Sequence, residues 1–186
     1  MKTLLDIGCN DLAGFRLLSS IESISEDTRK IFVEPNPECW DDLDKDLTQI
    51  PNSTLIKKAV SFDGKDVTLV TRKDELKCTG ATIMGDKFFT DSLNRWNIKA
   101  EPNYYTVPSI TLENLIKEHS IYTPECVLKL DAEGIEYELL RNILNSGILF
   151  KKIYCEFHVH NEEDQHKKTQ IIHELMTRNY DIQEWH

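Results

Sequence analysis

Asp131, Glu133 and Glu136 follow one another closely where the sequence changes character, and Glu156 and His158 come further on. Carboxylates and an imidazole can together align a polar reactant and accept its proton, and the imidazole titrates near neutral pH. Asp131 is the first choice for a reacting centre, His158 is the candidate base, and Glu133 and Glu156 stand beside them. Glu138 reads instead as a solvated acid that favours the positive end of a helix. Glu156, His158 and His160 alternate, so in an extended chain they point to one side, and with Asp131 they could hold a divalent cation. They lack the usual spacing of a metal motif, so no metal is expected.

The elements around these residues explain their placement. Residues 127–130 read as a short buried strand, and from Ile135 onward Ile135, Leu139 and Ile143, flanked by Leu140 and Leu144, take helical spacing. Gly134 supplies the tight turn between strand and helix. Open α/β sheets bind ligands at such carboxyl ends of strands.

The chain opens on a similar junction. Leu4-Leu5-Asp6-Ile7-Gly8 is an apolar strand ending in an acid and a glycine, and Leu17, Leu18, Ile21 and Ile24 keep the spacing of a buried helical face. Gly8 lets a ligand approach the backbone, and the amides opening the helix attract an anionic group. The dinucleotide fingerprint needs three glycines, whereas only Gly8 and Gly14 are present, so a nicotinamide or flavin dinucleotide loses support. A strand at 31–33 ends in Glu34, placed to hydrogen-bond a ribose diol. Asn36-Pro37 reads as a helix start with Trp40, Leu43 and Leu47 as its inner stripe.

Residues 55–60 read as a third strand, Asp63-Gly64 as a turn and residues 67–70 as a strand returning from it, which completes a βαβαβ opening. Residues 71–103 show no clean period and carry Phe88, Phe89 and Trp96; this insertion is the expected substrate cover, with a small helix near 91–96. Further strands are expected at 104–110, 153–158 and 180–185. Helices are expected after Thr111 and over 162–178, the latter with Ile171, Ile172 and Leu175 inward.

The composition narrows the functional classes. A chain of 186 residues with 40% hydrophobic content is about one domain long. The five cysteines form no CxxC, so reduced thiols are expected rather than a disulfide framework or zinc cluster. The net charge of −10 disfavours a nucleic-acid partner, because phosphate binding leans on clustered Lys and Arg. The start turns acidic after two apolar residues and no run approaches the roughly 20 apolar residues of a membrane span, so a soluble cytoplasmic protein is expected.

The chain resembles the FkbM-type family of S-adenosylmethionine-dependent methyltransferases. The resemblance covers nearly the whole chain. It rests on Leu5-Asp6-Ile7-Gly8-Cys9-Asn10, Val33-Glu34-Pro35-Asn36-Pro37, Ile110-Thr111-Leu112-Glu113-Asn114-Leu115, and Leu128 through Glu136 with Glu156 and His158 downstream. It implies an α/β, Rossmann-like class I methyltransferase fold, with a mostly parallel doubly wound sheet and helices on both faces. It also implies S-adenosyl-L-methionine as cofactor and a hydroxyl of a sugar, glycan or related small molecule as acceptor. The implied cofactor residues are Asp6, Gly8, Cys9, Asn10, Glu34, Pro35, Asn36, Val60, Ser61 and Asp131. Among these, Gly8 and Asn10 serve the methionine part, Glu34 the ribose, and Val60 with Ser61 the adenine.

Two departures stand out. Family members usually carry a glycine two residues after the motif's asparagine, whereas here Asp11-Leu12-Ala13 precede Gly14, so the methionine end is expected to be held differently. The sequence also begins at the first strand, without the N-terminal helices that often close the cofactor pocket. Cover is then expected from the 71–103 insertion, a second copy of the chain or a partner subunit. The rival readings are a non-catalytic subunit on the same fold and, less favoured, an NAD-dependent oxidoreductase.

Overall fold

The computed structural model describes residues 2–73, 80–95 and 97–185. The opening is β1 (Thr3–Ile7), α1 (Ala13–Glu22), β2 (Arg29–Val33), α2 (Trp40–Leu47) and β3 (Ser53–Ile56). The middle holds β4 (Ala59–Val60), β5 (Val67–Arg72), α3 (Asp86–Arg95), β6 (Pro102–Val107) and β7 (Ser109–Ile110). Then come α4 (Leu112–Glu118), β8 (Cys126–Leu130), α5 (Glu136–Ser146), β9 (Lys152–Cys155), α6 (Glu162–Thr177) and β10 (Ile182–Glu184). Cys78 and Trp96 lie outside the described residues.

The central sheet runs β10-β9-β8-β1-β2-β3, and every pairing in it is parallel. This is the Rossmann-like α/β fold. Strand alternation divides the core between two faces. Leu5, Ile7, Ile31, Val33, Leu128 and Leu130 pack with α4, α5 and α6, while Leu4, Phe32 and Val127 pack with α1 and α2. The strand order reverses between β1 and β8, the switch point at which open α/β sheets bind ligands.

Several boundaries differ from the sequence reading. The buried face of α1 is Phe15 and Leu18, following Leu12, whereas Leu17 and Ile21 are exposed; the helix lies about a third of a turn from the expected phase. The stretch 55–60 divides, because β3 stays in the central sheet while β4 pairs with β7. β5 returns against β6, antiparallel, rather than against the third strand. Pro108, which has no N–H to give a ladder, separates β6 from β7 within the expected 104–110 strand. The small helix begins earlier, at Asp86.

The glycines of the first turn serve packing as well as the ligand crevice. Gly8 sits at φ +77°, and a Cβ there would lie 1.7 Å from the Asp131 carbonyl oxygen. The close neighbour is thus the β8 loop, where the sequence reading expected a ligand. A Cβ on Gly14 would lie 2.4 Å from Lys129 Cε, so this glycine makes room for a buried lysine.

Candidate active site

Asp6 and Lys129 are register partners on β1 and β8, and both side chains point toward α1. Lys129 Nζ lies 3.1 Å from Asp6 Oδ1, 3.2 Å from the Gly8 carbonyl and 3.5 Å from Asp131 Oδ2. Burial disfavours the ammonium, but the two carboxylates hold its pKa above the ordinary lysine value. Lys129 therefore ties the ends of both strands to Asp131. It had no role in the sequence reading, although a lysine within an apolar strand, opposite an acid in the matching slot of the first strand, is a legible signal.

At the end of β2, Glu34 is buried and both its oxygens accept backbone amides, from Asn10 at 2.9 Å and from Asn36 at 2.8 Å. Burial pushes its pKa up to about 7 against the pull of those two amides. Trp40 Nε1 donates to the Glu34 carbonyl at 2.9 Å, so this half-buried tryptophan also fixes the turn.

After β8 the chain passes through Glu133 at φ +48° and Gly134 at φ +108° into α5. Glu136 is fully buried and does not face water: Oε1 accepts from Ala132 N at 3.0 Å, and Oε2 accepts from Gly134 N at 2.9 Å. His158 Nδ1 lies 2.8 Å from Glu136 Oε1, and its Nε2 lies 3.1 Å from Glu133 Oε2. Burial opposes a charge on His158, but the Glu136 hydrogen bond and the Glu133 charge outweigh it and raise the pKa to about 10. The imidazole is therefore protonated at neutral pH, which removes the reason for casting it as the base. Burial likewise lifts Glu133 to about 7, with His158 opposing, and raises Glu156.

Two cavities meet here. A narrow cleft of about 60 Å3 is lined by Gly8, Asn10, Glu34, Pro35, Val60 and Asp131 among others, with Ala81 and Ile83 opposite. A broader one of about 680 Å3 is lined by Glu156, His158, His160 and, from the insertion, Phe89, Ser92 and Arg95. Among the described residues, Glu133 and Gly80 line both.

Four of the expected cofactor residues do not line the cleft. Asp6 is turned to Lys129, and Cys9 packs into the α1 core. Asn36 caps the short turn at Pro37–Cys39, and Ser61 Oγ lies 2.6 Å from Ser109 Oγ. β9 ends at Cys155, before the expected end, so Glu156 and His158 leave from a loop. His160 diverges from them, with its ring edge-on to Phe88 at 4.6 Å. Asp131, Glu156 and His158 do converge, with one donor atom from each lying within 4.8 Å of the others.

A parallel α/β sheet with a buried acid after its second strand and a switch point between β1 and β8 defines the Rossmann-like class of fold. Residues 6–182 match the family model described as "Methyltransferase FkbM domain", and the chain belongs to that methyltransferase family. No match was found among curated proteins or among solved structures. Among the described residues, no helix is long and apolar enough to cross a membrane.

Proposed function

We propose that this protein binds S-adenosyl-L-methionine in the cleft beside Glu34 and transfers its methyl group to a hydroxyl of a sugar, glycan or related small molecule held in the broader cavity. The observation carrying this reading is that Glu133 stands where the two cavities join, between buried Glu34 on one side and a broader chamber that carries Glu156 and His158 on the other. Glu34 takes the ribose diol, the apolar wall of Val60, Leu69 and Ile83 takes the adenine, and Asp131 faces the positively charged sulfonium. Small-molecule pockets usually occupy roughly 300–1,000 Å3. The cleft must therefore widen on binding, and one of its walls is the segment carrying Ala81 and Ile83. This segment is held by paired backbone bonds between Val70 and Thr82 and by Thr82 Oγ1 donating to the Glu133 carbonyl.

Methyl transfer is an in-line displacement. The acceptor oxygen bonds to the methyl carbon, the sulfur–carbon bond breaks with its electron pair staying on sulfur, and the hydroxyl proton must leave. Glu133 is placed to receive that proton. Protonated His158 fixes the Glu133 carboxylate, and Glu136 fixes His158. In this reading the insertion, through Phe89, Ser92 and Arg95, covers the acceptor.

Calorimetry with S-adenosylhomocysteine and with NAD tests the reading, and binding of NAD alone would end it. Glu34→Ala should weaken S-adenosylhomocysteine at least tenfold, about 1.5–3 kcal/mol for hydrogen bonds lost in a dry site. The diol donates to the ionised carboxylate, so bound ligand favours that form and lowers the Glu34 pKa. Affinity should therefore rise severalfold from about pH 6 to about pH 8 and then level off, and Glu34→Gln should flatten the profile. The sign for stability is opposite: with its pKa raised from 4.5 to about 7, Glu34 makes the free protein less stable as pH rises through that window.

Asp131→Asn should keep the fold and most of the cofactor affinity while turnover falls roughly a hundredfold, because an orienting charge is lost. Asp131 does not cap α5, whose N-cap is Ile135, so an asparagine has no capping role to preserve there. Single-turnover methylation at the wild-type rate in this variant would remove Asp131 from the reacting centre.

A further inference from the structure

We propose that Asp131, Glu156 and His158 form a divalent-cation site at the junction of the two cavities, and that the cation binds the acceptor's hydroxyl beside Glu133. This rests on the methyl-transfer reading for its purpose, but not for its existence. Three observations carry it. The donor set is mixed, two carboxylates and an imidazole, and its atoms already lie within 4.8 Å of one another in a half-buried place. Asp131 directly follows β8 and Glu156 directly follows its neighbour β9, with Glu156 N donating to the Leu130 carbonyl at 2.9 Å, and His158 lies two residues further along the loop. Fully buried Glu136 holds Nδ1 at 2.8 Å, and Nε2, which lies 3.1 Å from Glu133 Oε2 in the free protein, gives up its proton to solvent when it takes the cation. Metal-ligating histidines are characteristically fixed in this way by a carboxylate on the other nitrogen.

The donors suggest the kind of ion. A set rich in carboxylate oxygens suits Mg2+ or Mn2+, and a single imidazole shifts the preference toward a first-row cation of the Mn2+ type. Three protein ligands leave positions open for an oxygen of the acceptor. Coordination makes a hydroxyl more acidic and places it, and a neighbouring carboxylate outside the coordination set then takes its proton. Glu133 is that neighbour, 3.1 Å from His158 Nε2. The methyl leaves sulfur for oxygen and the proton goes to Glu133, so no further reactant is needed. An acceptor with two adjacent oxygens, such as a vicinal diol, fits two open positions better than an isolated alcohol.

Mn2+ alone is the probe, followed by electron paramagnetic resonance and calorimetry on the intact protein, with Mg2+ and Zn2+ as comparison arms. Saturable one-to-one binding is expected, weakened at least tenfold in Glu156→Gln and in His158→Gln. Asp41→Asn with Asp42→Asn, on the exposed first turn of α2, should leave it unchanged. Mn2+ should also broaden the ring signals of His158 in the wild-type protein before those of any other histidine, a readout that needs no variant to fold. No saturable binding at millimolar Mn2+, binding indifferent to both variants, or first broadening at another histidine would overturn the site. S-adenosylhomocysteine binding measured on the same samples separates the two ideas. If it persists without a Mn2+ site, only the cation is lost; if the Mn2+ site persists without it, the methyltransferase reading falls and the cation site stands.

Discussion

Glu133→Gln is expected to lower single-turnover methylation roughly a thousandfold while leaving S-adenosylhomocysteine affinity within a few-fold, as for loss of a positioned proton acceptor. The glutamine keeps the side chain's shape at the junction of the cavities, and it can still accept from His158 Nε2, 3.1 Å away in the wild-type protein. What it cannot do is take a proton from the acceptor. The left-handed backbone at Glu133 suits glutamine no better and no worse, so a melting temperature near wild type should accompany the loss. A rate within threefold of wild type would assign the proton to another group. A parallel fall in cofactor affinity would mean instead that Glu133 acts on the sulfonium side.

Lys129→Met is expected to destabilise the protein by about 3–5 kcal/mol, as is usual when one partner of a buried ion pair is removed. For a chain of this size that corresponds to a melting temperature roughly 6–20 °C lower. Methionine is long enough to fill the space beside Gly14, so the loss would come from charge rather than from a void. Asp6 is left buried without its cation, and Asp131 loses the ammonium 3.5 Å away. Asp6→Asn combined with Lys129→Met should recover part of the loss, because the stranded charge disappears with its partner. An unchanged melting temperature in Lys129→Met would show that Asp6 is neutral in the folded protein and that Lys129 contributes packing alone.

Much of this could be read from the sequence, for local reasons. The apolar runs at β1, β2 and β8 and the helical spacing after Ile135 follow from side-chain periodicity, which is a property of neighbours along the chain. The acids ending β2 and β8 and the segment from Leu128 to Glu136 sufficed to name the family that the match over residues 6–182 then showed. Where the reading went astray, the deciding contact was distant. Gly8 read as a ligand glycine and does line the cleft, but its missing side chain also makes room for the Asp131 carbonyl, a contact that no local pattern shows. Leu17 and Ile21 fit a helical stripe, yet the face that meets the sheet is set by Phe15 against Phe32 at 5.1 Å. Glu136 read as one more acid of the junction, and His158 as a group titrating near neutrality. Only the approach of β9 to β8 brings them within 2.8 Å and gives the imidazole a proton it holds to about pH 10. Periodicity marks where strands and helices lie; which face is buried and which charges meet there depend on strand order and packing, and those are decided by the tertiary structure.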